Sequence, residues 1–192
     1  METTSIIFIT GGVRSGKSSF AEKVAIDKAK KIDGSLHYIA TGMPSDHEMK
    51  ERIIRHQKDR NKSECNWQTW EQSTNIEELA SYFKENDVIL LDCLTTLLSN
   101  ELFSDEADWS NPILHKETVF NRIVTGIKAI EKNCHDLVLV SNELLFEPIN
   151  SNELLSTYSG LIGKLHQHMV GIANQAYEVQ AGLPLLWKGD KQ

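Results

Sequence analysis

The stretch Gly11-Gly12-Val13-Arg14-Ser15-Gly16-Lys17-Ser18 carries the pattern G-x-x-x-x-G-K-[ST] at every fixed position, and that spacing suits phosphate chemistry. Glycines let the loop curl until successive backbone N–H groups face one phosphate. The N-terminus of a following helix adds partial positive charge, and the Lys17 ammonium reaches the β and γ oxygens. The Ser18 hydroxyl is then placed to hold Mg²⁺. A glycine-rich turn with an accidental Gly-Lys-Ser would look the same in isolation, but the strand pattern before it and the helix pattern after it favour a phosphate loop. Magnesium at such a loop calls for a second acid at the end of a neighbouring apolar strand, and Val88-Ile89-Leu90-Leu91-Asp92 supplies one. An aspartate there can also cap a turn. Beside a phosphate loop, Asp92 is expected to contact magnesium or phosphate-bound water.

A second constellation lies between Asp46 and Arg60, where a helical pattern with a capping residue at its start puts Arg52, His56 and Arg60 along one side in steps of four. Neutral imidazole is a good nucleophile near pH 7. It can attack the α-phosphorus of a nucleotide and hold the nucleotidyl group as a phosphoramidate, with the arginines neutralising phosphate charge. Met49 and Ile53 lie near the same side, so a solvated basic face or half-buried packing explains the pattern equally well. The residues alone leave both readings open.

These groups need elements to position them. Ile6 to Thr10 is an apolar, β-branched run leading into the loop, and Ser18 to Lys31 follows with helix formers that place Phe20, Val24 and Ala25 on one side. Further strands are expected at Leu36 to Thr41, Val88 to Asp92, Leu137 to Ser141 and Tyr177 to Ala181, with helical stretches between most of them. This alternation predicts an α/β fold, a mostly parallel sheet with helices on both faces. Asn152 to Asn174 places Leu154, Leu155, Tyr158, Leu161, Ile162, Leu165, Met169 and Ile172 at helical steps and reads as one amphipathic helix. Leu183 to Trp187 is expected as a last short strand, antiparallel at an edge, and Asp105 to Pro112 as a surface loop. No repeat or composition shift marks a boundary, so residues 1–192 are expected to form a single nucleotide-binding domain.

Composition narrows the function classes. Hydrophobic residues at 40% and charged ones at 24% describe an ordinary globular chain, and a formal net charge of -7 argues against a nucleic-acid partner. Cys65, Cys93 and Cys134 fit neither a disulfide framework nor a metal-ligand spacing and are read as reduced thiols, two or three of them buried. The other histidines, His37, His47, His115, His135, His166 and His168, form no convincing metal pair. The tryptophans, Trp67, Trp70, Trp109 and Trp187, are expected in the core, with an interface anchor among them as the alternative. No apolar run approaches the roughly 20 residues of a membrane span, and Met-Glu-Thr-Thr-Ser lacks the basic start of a signal peptide, which leads to a cytoplasmic expectation.

Several segments in order resemble the bifunctional adenosylcobinamide kinase and adenosylcobinamide-phosphate guanylyltransferase family over nearly the whole chain. They are Ile9 through Ser18; Tyr38-Ile39-Ala40-Thr41; Glu48-Met49, Arg52-Ile53 and His56; and Trp67, Thr69 and Glu71. Leu91-Asp92-Cys93-Leu94-Thr95 with Ser99-Asn100, Val138 through Glu143, and Ala181-Gly182-Leu183-Pro184 complete the set. The resemblance implies a recombinase-like P-loop fold, usually assembled as a trimer. It also implies two reactions with Mg²⁺: phosphorylation of adenosylcobinamide from ATP or GTP, then transfer of GMP from GTP through a guanylylated histidine, for which His56 is the match. Nucleotide contacts are implied at Gly11 to Ser18, at Ala40, Thr41 and Gly42, at Gln57, Lys58, Asp59 and Arg60, and at Glu71 and Asp92.

The chain departs from the family where a glycine-rich stretch usually follows Ser-Asn-Glu. Here it reads Leu144-Leu145-Phe146-Glu147-Pro148, and Ser156 and Thr157 stand where basic residues are expected. Asn142 and Glu143 are placed either to contact substrate or to form a plain turn. The competing readings are a small-molecule kinase with no covalent histidine, a guanylyltransferase with a weakened kinase step, and a nucleotide-binding regulator without transfer.

Overall fold

The computed structural model describes residues 4–42, 65–104, 109–143 and 153–190. Its strands are β1 (Ser5–Gly11), β2 (Ser35–Ala40), β3 (Trp67–Glu71), β4 (Asp87–Asp92), β5 (Asp136–Asn142), β6 (Gln175–Gln180) and β7 (Leu183–Lys188). The helices are α1 (Lys17–Ile32), α2 (Leu94–Leu102), α3 (Pro112–Glu131) and α4 (Glu153–Ile172), and a 3₁₀ helix spans Ile76–Tyr82. The sheet runs β3-β2-β4-β5-β1-β6-β7, and each neighbouring pair is parallel except β6 with β7.

Continuous apolar runs in the central strands follow from burial on both faces, because successive strand residues point to opposite sides. Ile6, Phe8, Ile89, Leu91, Leu137 and Leu139 pack on one face with residues of α2, α3 and α4. Ile7, Ile9, Val88, Leu90, Val138 and Val140 pack on the other with α1. The α1 contact line is Ala21, Ala25 and Ala29, small residues at four-residue steps that bring the helix close to the strands. Phe20 and Val24, expected on that line, flank it.

The long C-terminal helix, the central strands and the antiparallel last strand stand where the sequence places them, within one or two residues. Four details differ. β3 carries no apolar signature because it is an edge strand with Gln68, Thr69 and Glu71 exposed. Pro112 does not end a loop but opens α3, where Asn111 accepts a capping hydrogen bond from the Leu114 amide at 3.2 Å. His37, which the sequence ties to no partner, lies within β2. It is buried inside the strand, accepting from Trp70 Nε1 at Nδ1 (3.1 Å), so its hydrogen sits on Nε2, 3.2 Å from Asp87. Trp187 is 71% exposed on β7, whereas Trp67, Trp70 and Trp109 are partly buried against the two cores. The cysteines are free, with Cys93 and Cys134 buried.

Candidate functional site

Parallel pairing brings the carboxyl ends of β3, β2, β4, β5 and β1 to one edge of the sheet, where open α/β sheets bind ligands. Register sets the order along that edge: Glu71 opposite Ala40, Ala40 opposite Asp92, and Asn142 opposite Gly11. β1 delivers the chain into the loop, and α1 begins at Lys17 with Gly16 in the left-handed region (φ 92°) and no side-chain cap. The first amides of α1 are therefore not taken by a capping side chain, and the helix presents its positive end to whatever the loop encloses. The Lys17 side chain is buried, and its Nζ donates to the Gly12 carbonyl at 3.1 Å, folding the ammonium back over the loop. The Ser15 carbonyl accepts from the Gly182 amide at 2.8 Å, which ties the loop to the β6–β7 turn.

Gly11 must be glycine for a packing reason. Its φ of 156° lies outside the usual L-residue range, and a Cβ there would collide with the backbone carbonyl of Val179, which cannot swing aside like a side-chain tip. Gly11→Ala is expected to destabilise the fold by about 3 kcal/mol, from overpacking added to backbone strain. Chemical unfolding of the variant beside the parent measures it, and a difference near zero would contradict the packing account.

Asp92 ends β4, two strands from β1 or roughly 10 Å by ordinary strand spacing. Its Oδ2 accepts from Tyr38 Oη at 3.0 Å, an anchor provided by β2. Thr41, expected at the nucleotide, is fully buried, and its hydroxyl bridges the Cys93 backbone, accepting from the amide and donating to the carbonyl at 2.9 Å each. Its own amide donates to the Asp92 carbonyl, and its carbonyl accepts from Asn100 Nδ2 at 2.8 Å. Thr41 is thus a tie that holds the end of β4. Ala40 and Gly42 flank it, half-buried, while Glu71 is exposed on β3, four strands or about 19 Å from Gly11. His56, Gln57, Lys58, Asp59 and Arg60 lie outside the described residues.

Sequence reasoning missed the supports. Tyr158 on α4 donates to the Thr95 carbonyl at 2.8 Å, and Asn142 Nδ2 donates to Thr95 Oγ1 at 3.0 Å, joining the ends of β4 and β5 to two helices. The Cys93 thiol lies 3.0 Å from Thr95 Oγ1. Burial first, then the nearby Asp92 charge, push its pKa up, so it stays protonated and serves as packing. Glu143 follows β5 and donates its amide to the Gly11 carbonyl at 3.0 Å. Burial, then the neighbouring Glu178, hold its carboxyl above the usual range.

His166 pairs with the fully buried Ser141 at 2.7 Å and packs edge-on against Phe8. Burial disfavours the imidazolium and pushes its pKa down to about 4, against about 6.5 in an unfolded chain. Between those values the unfolded chain holds a proton that the folded chain lacks. Stability is therefore lost as pH falls from about 6.5 towards 4 and levels off below. From pH 7 to pH 5 this amounts to about 2 kcal/mol. Urea unfolding at both pH values is expected to show that loss in the parent and a smaller one in His166→Leu; equal losses would remove His166 as the cause.

Comparison with known proteins agrees with this architecture. The family described as cobinamide kinase / cobinamide phosphate guanyltransferase matches residues 7–186. The chain is 30% identical over 184 residues to the bifunctional adenosylcobalamin biosynthesis protein CobU of Escherichia coli K12, covering 93% of this chain and 97% of that protein. It is 30% identical over 183 residues to CobP of Pseudomonas aeruginosa, covering 95% and 96%. Among solved structures it is similar to the flagellar accessory protein FlaH of Methanocaldococcus jannaschii, with a TM-score of 0.52 at 13% identity over 98% of this chain and 82% of that one. It is also similar to a KaiC-like protein of Pyrococcus horikoshii, with a TM-score of 0.50 at 11% identity over 97% and 80%. These likenesses are of fold, a mostly parallel sheet flanked by helices.

Proposed function

Because the chain belongs to the cobinamide kinase / cobinamide phosphate guanyltransferase family, we propose that it carries out both reactions of that description on a corrinoid acceptor, with His56 as the covalent carrier of GMP. The observation that carries the reading is the phosphate loop at the carboxyl edge of the sheet, with Lys17 folded over it and Asp92 anchored two strands away.

In the kinase step the acceptor hydroxyl oxygen bonds to the γ-phosphorus of ATP or GTP. The bridging bond to the β-phosphate breaks, and the nucleoside diphosphate leaves with the electron pair. Such transfer asks chiefly for positioning and charge neutralisation. The loop amides of Gly11 to Ser18 and the Lys17 ammonium supply these. Ser18, in the first turn of α1, and Asp92, at the end of β4, offer the hard oxygen donors that magnesium prefers. An ion held by these residues would supply positive charge to neutralise the triphosphate.

In the second step an imidazole nitrogen of His56 bonds to the α-phosphorus of GTP as pyrophosphate leaves. A phosphate oxygen of the phosphorylated acceptor then displaces the histidine, giving the GDP-linked corrinoid and free imidazole. Gln57 to Arg60, Ala40, Gly42 and Glu71 are assigned to the nucleotide in the same reading, with Thr41 acting through its hold on β4. A single domain over residues 1–192 and trimeric assembly belong to the reading as well. Among the described residues no helix is long and apolar enough to cross a membrane.

The test is incubation with Mg²⁺ and GTP labelled separately at the α and γ positions, without acceptor. Acid-labile, alkali-stable label on protein from the α position alone supports the covalent mechanism. No label on the parent sinks it and leaves a plain P-loop kinase.

A further inference from the structure

A phosphate loop and magnesium neutralise charge, but the attacking hydroxyl must also lose a proton, and the reading above names no group to take it. The carboxylates near the loop differ in their commitments. Asp92 accepts from Tyr38 and is assigned to magnesium. Glu178 on β6 accepts from Gln180 at 2.5 Å and from Trp187 at 3.0 Å. Glu143 makes no side-chain hydrogen bond or ion pair with any described residue, although its backbone is bonded to Gly11, the first residue of the loop.

Strand parity gives its direction. Ser141 shares the face of Leu137 and Leu139, so Glu143, two residues on, points to the same side. Thr10 and its partner Glu178 point there as well, since Thr10 follows Ile6 and Phe8 at two-residue steps. Between the two glutamates the Thr10 hydroxyl is buried with no hydrogen-bond partner among the described residues. The result is a polar cluster beside the loop, on the sheet face opposite α1.

We propose that Glu143 is the proton acceptor of the kinase step, a role that rests on the functional reading above. As the hydroxyl oxygen of the corrinoid bonds to the γ-phosphorus and the nucleoside diphosphate departs, the hydroxyl proton passes to a carboxylate oxygen of Glu143 and later returns to water. Glu178 is a positioning residue in this scheme: burial first, and then the negative charge of Glu178, make Glu143 a stronger base than a free carboxylate. The surrounding elements also carry Arg14 and Lys17 of the loop, Asp92 and Cys93 at the end of β4, Tyr158, Lys164, His166 and His168 on α4, and Tyr177 on β6.

The experiment follows γ-label from GTP into cobinamide across a pH series, in the parent, Glu143→Gln, Glu143→Asp and Glu178→Gln. Glu143→Gln is expected to lower kcat by about 10²- to 10⁴-fold with little change in the acceptor KM, and to lose the acid limb of the pH profile. Glu143→Asp is expected to recover part of the rate. Glu178→Gln, with Glu143 intact, is expected to move the acid limb to lower pH, a shift that a folding defect would not produce. A Glu143→Gln kcat near that of the parent, or an acid limb unmoved in Glu178→Gln, overturns the assignment. Absence of γ-transfer in the parent overturns the kinase reading itself, whereas transfer that survives Glu143→Gln overturns the proton acceptor alone.

Discussion

Protein carrying His56→Ala is expected to take up no label from α-labelled GTP and to lose GMP transfer by on the order of 10³-fold or more, the scale of removing a covalent nucleophile. In the mechanism proposed above the α-phosphorus changes partners twice, and both displacements pass through the imidazole. A methyl group offers no lone pair for the first and no bond to break in the second. Phosphoryl transfer from the γ position is expected to persist, because it draws on the loop, Lys17 and Asp92 and on no covalent intermediate. Incorporation of label from the two positions, measured side by side, separates the steps. Undiminished α-label in the variant would remove His56 from the chemistry and return the Arg52, His56, Arg60 stripe to an ordinary basic face.

Lys17→Ala is expected to depress both reactions, by about 10³-fold for γ-transfer, since each needs a triphosphate seated on the loop and the ammonium is its central neutralising charge. Folding should tolerate the change. Lys17 lies buried over the loop with its Nζ on the Gly12 carbonyl, and removing a buried cation relieves a desolvation cost that offsets the lost hydrogen bond. Steady-state kinetics with a parallel thermal melt therefore make a clean pair of measurements. A large rate loss with little change in Tm is the expected pattern. A variant that keeps its rate would mean that the loop amides alone neutralise the triphosphate.

The parts of the site that could be read in the sequence are those whose geometry is local. Eight consecutive residues encode the phosphate loop, because glycine conformations, a helix start and a lysine reach act within a few residues of one another. Asp92 was legible because the apolar run before it marks a buried strand with a polar end. The antiparallel β7 was legible from the glycine turn before it. β3 was not, since an edge strand with polar exposed residues has no hydrophobic pattern to find, and the contacts that hold the site were not either. Tyr38 reaches Asp92 across 54 positions and Tyr158 reaches Thr95 across 63, distances over which no local signal survives.

The sequence by itself therefore determined the phosphate chemistry and, through ordered motifs spread along the chain, the family. Tertiary structure alone decided which strand lies beside which. Apolar runs buried on both faces satisfy any neighbour equally, so strand order and register follow from global packing and not from periodicity. That order makes Thr41 a tie under Cys93, and it buries His166 against Ser141 deeply enough to keep it neutral. It also sets Glu143 against the first glycine of the loop, because β5 happens to be the strand that pairs with β1.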